Sequence, residues 1–231
     1  MQEIDVDGIS RKLTPSSKWA WQWVLLCGLA ELCGIALAAV WWVVIDLLQP
    51  KPTSALMFAL VLLAKSCAGL LEGFILGAAQ GLHLRRLLPG LDLASWITAT
   101  CAIAVFGWLI GSAIPMSIEA QAASTQQPAF DPPPLQTALF AAVFGTLVGI
   151  IFGTAQWLVL RTAAVSAHWW IIGNALGWGF ALPVIYVAAS AGDPQTPLAN
   201  AVMLGVAAGM GAGLMIGLAT LWSIRRMQQR A

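Results

Sequence analysis

The sequence predicts an all-α integral membrane fold. Six transmembrane helices are arranged as three tandem two-helix repeats around a pseudo-threefold axis, with both termini cytoplasmic. Three observations lead there. Of 231 residues, 59% are hydrophobic and only 9% charged, against roughly a quarter charged in soluble domains. The apolar residues gather into six runs, each long enough to cross a hydrocarbon core of about 30 Å. A row of glycines recurs three times, each time at the same offset from an arginine.

Along the chain, a polar segment of mixed charge covers 1–18 and includes Glu3, Asp5, Asp7, Arg11, Lys12 and Lys18. The apolar run after it exceeds the 7–15 residues or so of a signal-peptide core, so it reads as a retained span. The spans are expected at about 19–48, 54–88, 94–118, 135–163, 167–190 and 198–224. Turn chemistry separates them: Gln49-Pro50-Lys51-Pro52, Pro89-Gly90, Pro132-Pro133-Pro134, and Gly192-Asp193-Pro194 with Pro197. The second run is longer than a vertical crossing needs and should tilt. The stretch Met116–Pro134, with its polar core Gln121–Pro128, is expected to be the one long loop, mobile and on the outer side. A membrane domain over 19–224, in repeats of about 19–88, 94–163 and 167–226, is thus followed by a short tail, 225–231.

Orientation follows from the basic residues. Arg11, Lys12, Lys18, Arg85, Arg86, Arg161, Arg225, Arg226 and Arg230 flank the spans on one side, and Lys51 is the lone exception. That side is expected to be the cytoplasm. Trp19, Trp21, Trp23, Trp96, Trp169 and Trp170 sit near the same interface and are expected to anchor there, where an indole keeps its ring apolar and its N–H wet.

The repeat is sharpest in the even spans. Gly69, Gly73 and Gly77 precede Arg85; Gly145, Gly149 and Gly153 precede Arg161; Gly209, Gly213 and Gly217 precede Arg225, all in one register. Ala79, Ala155 and Ala219 follow in register, then Gln80, Gln156 and Thr220. Glycine at every fourth position leaves a groove along one helix face, in which a neighbouring backbone can lie close. The odd spans repeat more weakly, through tryptophans and the pairs Gly107-Trp108 and Gly177-Trp178.

The segment Gly149-Ile-Ile-Phe-Gly153-Thr-Ala-Gln-Trp157-Leu-Val-Leu-Arg161, followed by Trp170, Asn174 and Gly177-Trp178, resembles a group of bacterial multi-pass proteins that carry repeated G-x-x-x-G-x-A-Q-W-x-x-L-R helices. The first copy has Gly81 in place of the tryptophan, and the third reads Ala-Thr-Leu-Trp222. The resemblance covers about 69–225 and implies a fold and a bacterial plasma (inner) membrane location, but no activity.

Charged groups inside a bilayer are costly, and each invites a functional reading. Glu31 lies about 13 residues beyond Lys18, and Glu72 about the same distance before Arg85, which puts both roughly 20 Å from the basic interface. Two carboxylates in a low dielectric cannot both carry charge cheaply, so the pair suits a proton or cation site. It would equally serve to hold a partner helix. In the blander alternative the two face apart and are satisfied by hydroxyls. Lys65 lies seven residues from Glu72 on the same face, and Asp46 is at its level for pairing. Gln80, Gln156, Thr220 and Asn174 fall in the inner half; interhelical hydrogen bonds are expected there, or a polar ring about the axis.

His83 and His168 read as solvated interface residues. Cys27, Cys33, Cys67 and Cys101 have no metal-ligand spacing and read as packing residues, so neither metal nor cofactor is expected. No catalytic or phosphate-binding motif is present. A net charge of +1 supplies no footprint for nucleic acid. The bilayer is the certain partner, with a membrane-protein partner or a second copy of the chain as the expected class of others. Function therefore reads first as a non-enzymatic scaffold or accessory subunit, with a small proton- or cation-coupled transporter or channel as the alternative.

Overall fold

The computed structural model describes residues 10–48, 52, 54–125, 132–190 and 197–230. The expected turns at Gln49-Pro50-Lys51 and Gly192-Asp193-Pro194 lie outside the described residues, as do the acidic residues of the first nine positions. The chain is almost wholly helical: α1 (Ser17–Leu48), α2 (Ala55–Ser66), α3 (Ala68–Leu84), α4 (Leu93–Thr125), α5 (Pro134–Leu160), α6 (Trp169–Ser190) and α7 (Leu198–Ile224). With α2 and α3 taken as one span, six helices are long and apolar enough to cross a membrane.

One expectation about the helices is refined and one is corrected. The second span is found as a single crossing, interrupted by one residue at Cys67. The Cys67 N–H is shared between the carbonyls of Leu63 and Ala64, both at 3.2 Å, and the Leu70 N–H reaches back only three residues, to Cys67 O. Ser66 Oγ meanwhile donates to Leu62 O at 2.7 Å. Such back-bonding competes with the helical ladder and bends it. The loop expected from Met116 is helical as far as Thr125, because Ala, Gln and Ser in that stretch are tolerable helix residues and Pro115 is accommodated inside α4. Only the part of Gln121–Pro128 up to Thr125 can be described.

Each span neighbours the next in chain order, and α7 closes the ring against α1. The seam between α4 and α5 is the sparsest of the six. The glycine rows explain the tight seams. A Cβ at Gly73 would lie 2.7 Å from Cys101 Cα of α4, one at Gly153 would lie 2.7 Å from Ile171 Cα of α6, and one at Gly217 would lie 3.0 Å from Val24 Cα of α1. Backbones approach there at distances that a side chain would forbid, which is how membrane helices associate without a hydrophobic force between them.

At one end a small antiparallel sheet ties the chain together. Strands β1 (Ser10–Lys12) and β2 (Ala164–Val165) both pair with β3 (Gln228–Arg230), which lies between them. The ends of α3, α5 and α7 share one hydrogen-bond pattern, with Arg85, Arg161 and Arg225 each bonded to the carbonyl four residues back. Below the sheet Leu13, Leu84, Leu88, Leu160, Ile224 and Met227 form a buried apolar layer. At the same end Asp92 caps α4: its carboxylate accepts from the Ala94 N–H at 3.1 Å and the Ser95 hydroxyl at 2.6 Å. The Ser95 hydroxyl bond, more than any other contact, holds the Asp92 carboxyl below the usual carboxylate range.

The tryptophans depart most from expectation. Trp23, Trp96 and Trp170 are fully buried and Trp19 nearly so; Trp21 alone of that set is well exposed. For Trp23 and Trp170 the cause is polar partners on neighbouring helices, which let an indole N–H enter the bundle; Trp19 and Trp96 are buried by ring packing against Trp23 and Trp170, with their N–H groups unpartnered. Trp170 Nε1 donates to Gln156 Oε1 at 2.8 Å, and Trp23 Nε1 to Thr220 Oγ1 at 3.1 Å. His83 is likewise buried rather than solvated, its ring 4.5 Å from Trp19, whereas His168 is exposed beside Trp169.

Candidate functional site

The bundle is filled at its basic end and hollow towards the other. Beyond the tryptophan layer lies a cavity of about 340 Å³, bounded chiefly by α4, α5 and α6. Its lining runs from Glu31, Glu72, Phe152 and Trp178 at mid-bundle to Trp42, Pro115 and Ala189 near the far end. Glycine makes the room: Gly107 and Gly111 of α4 both line it. A Cβ at Gly107 would meet only Val148 Cγ1, at 3.7 Å, so this glycine opens space where those of the rows close it.

Both mid-membrane carboxylates stand at the closed end. Glu72 Oε2 accepts a 2.6 Å hydrogen bond from Trp108 Nε1. Glu31 is fully buried, and neither of its oxygens has a hydrogen-bond partner. The two helices meet closely here: a Cβ on Gly34, one turn along α1 from Glu31, would lie 2.9 Å from Glu72 Cγ. Three other cavity-lining groups also lack partners, Trp42 Nε1, Trp178 Nε1 and Ser112 Oγ. Buried polar atoms almost always find partners; among the described residues most of the exceptions line this cavity, the others being the indole N–H groups of Trp19 and Trp96.

Lys65 does not join the carboxylates. Its ammonium pairs with Asp46 at 2.7 Å and lies 4.2 Å above the Trp42 ring. That arrangement leaves its charge neutralised and Glu31 and Glu72 with no cation between them.

The inner polar residues fall into two clusters rather than one ring. Gln156 Nε2 donates to Thr100 Oγ1 at 2.9 Å and, at 3.5 Å, to Gln80 Oε1. Thr220 serves Trp23, and Asn174 Nδ2 donates to the Trp170 carbonyl of its own helix at 3.0 Å. The rings of Trp23 and Trp96 both pack edge-on to Trp170, with centroids 6.1 and 5.4 Å away, so indoles fill the region these polar groups border.

Sequence reasoning missed Trp108, Trp178, Ser112 and Thr100. The paired Gly-Trp steps at 107–108 and 177–178 were the available signal: both indoles line the cavity, Gly107 opens space beside Trp108, and Gly177 instead packs against Ile216 of α7. No protein family, no curated protein and no solved structure matches the chain.

Proposed function

We propose that this chain is a small proton- or cation-coupled transporter or channel that works through Glu31 and Glu72. The observation that carries the reading is the placement of both carboxylates at the closed end of a cavity within the membrane-spanning part, with Glu31 unpartnered. An ionised carboxylate at bilayer depth costs about 2.5–3.5 kcal/mol, and residues kept at that cost commonly mark an ion or proton path. The sealed tryptophan layer on one side and the hollow on the other suit one state of an alternating-access cycle.

In this reading the membrane is the bacterial plasma membrane, the basic end is cytoplasmic, and the chain belongs with the glycine-row proteins it resembles. The three units are related by a threefold axis along the membrane normal. Supporting this, the glycine row of each unit seats on the first helix of the next: α3 on α4, α5 on α6, and α7 on α1.

Reconstitution into liposomes under an imposed pH or sodium gradient tests the function. Flux through the wild type should fall tenfold or more in Glu31→Gln and in Glu72→Gln. Flux that is absent, or unchanged by both substitutions, sinks the reading. The scaffold reading then stands, favoured by α4: 17% of its apolar window is buried, against 44% for α1, which leaves a long flank for a partner helix. Its mark would be a stoichiometric membrane-protein partner on purification.

A further inference from the structure

Apart from the Ser112 hydroxyl, what lines the cavity falls into two chemical groups. At the closed end are two carboxylates. Along the walls are aromatic faces, from Trp42, Trp108, Phe144, Trp178 and Tyr186 among others, with aliphatic side chains between them. A hydrated inorganic ion would gain little from such walls. A ligand with an apolar body and one positive charge would use both groups, because aromatic faces attract cations and also bury apolar surface. The site already shows the first of these contacts, in the Lys65 ammonium above the Trp42 ring. A volume of about 340 Å³ lies at the small end of the range for organic-ligand pockets.

The geometry points to an amphipathic organic ammonium as the ligand of this cavity, its N–H donors on Glu31 and Glu72, its body along the aromatic walls, reached from the bilayer through the α4–α5 seam. The unpartnered oxygens of Glu31 are acceptors in want of donors, which an ammonium supplies. The seam is the sparsest in the ring, and both of its helices line the cavity. A molecule that partitions into lipid would find it without crossing water.

The proposal rests on the transporter reading and names its substrate class. Protons and the ammonium would compete for the same two carboxylates, so binding should weaken as pH falls. The other titratable groups on the surrounding helices are Lys18, Cys27, Cys33 and Asp46 on α1, Lys65 on α2, His83 on α3, Cys101 and Glu119 on α4, and Tyr186 on α6, with Cys67 between α2 and α3; α5 and α7 carry none. Lys65 and Asp46 neutralise each other.

Purified full-length protein in nanodiscs would be titrated with 4-phenylbutylammonium and with its neutral isostere 4-phenylbutanol. Expected are saturable one-to-one binding of the amine at pH 8, at least tenfold weaker binding at pH 5, and at least tenfold weaker binding of the alcohol. Gly107→Leu fills the cavity from a position with room for a side chain and should weaken amine binding at least tenfold while the melting temperature holds. Glu31→Gln should do the same. Equal binding of amine and alcohol, or binding indifferent to Gly107→Leu, overturns the proposal. No amine binding alongside Glu31-dependent proton or sodium flux overturns the ligand class and leaves the transporter reading intact; loss of both overturns both.

Discussion

Gln156 joins more elements than any other buried polar side chain in the filled half. From α5 its amide reaches Thr100 of α4 and Gln80 of α3, and its carbonyl accepts from Trp170 of α6. Gln156→Leu would leave a buried indole N–H and a buried amide without those partners, at a cost of about 1–3 kcal/mol. Thr220→Val should cost less, because Trp23 Nε1 keeps a second acceptor, the Gly217 carbonyl, at 3.1 Å. Thermal unfolding in detergent checks the order, and an equal loss in the two variants would refute it. This polar set also shows where sequence reading stopped. The depth of Gln80 and Gln156 could be counted from Arg85 and Arg161, and that of Glu31 and Glu72 from the basic interface. The acceptor that receives the Trp23 indole is Thr220, 197 residues along the chain, and that of Trp170 is Gln156, on the preceding helix. Proximity to an interface cannot supply such pairings, so the interface rule misplaced Trp23 and Trp170, while Trp96 is buried by packing edge-on to Trp170.

At the scale of the helices, one residue type does two opposite things. Glycine in the rows lets backbones touch; a Cβ at Gly149 would lie 2.8 Å from the Asn174 carbonyl carbon and 2.9 Å from Ala175 Cα. Gly149→Ala should therefore destabilise by about 1–3 kcal/mol, the usual cost of overpacking, whereas Gly107→Ala should be close to neutral. Comparing the two melting temperatures decides it, and a Gly107→Ala loss as large as that of Gly149→Ala would mean the cavity wall is packed after all. Spans were legible because apolar length alone dictates them. The break at Cys67 was not, since it depends on how Ser66 and Cys67 share carbonyls with the ladder. The cavity was not legible either: Gly107 in the sequence looks like any other small residue of a membrane helix, and only the separation of α4 from α5 turns it into space.

The whole molecule combines a filled half and a hollow half within one ring, and a sheet stitched from three separate parts of the chain. Because Ser10 is the register partner of Arg230, the first and last described helices are held side by side in the same way as helices joined by a connecting loop. The place where the chain ends meet is thus as firmly tied as a seam bridged by a loop. A circular permutant that links 230 to 10 through a short glycine-serine linker, with new ends between Thr125 and Pro132, should fold with a melting temperature within a few degrees of the parent's. A permutant that fails to fold would show that the order of insertion into the bilayer, rather than the final contacts, dictates the architecture.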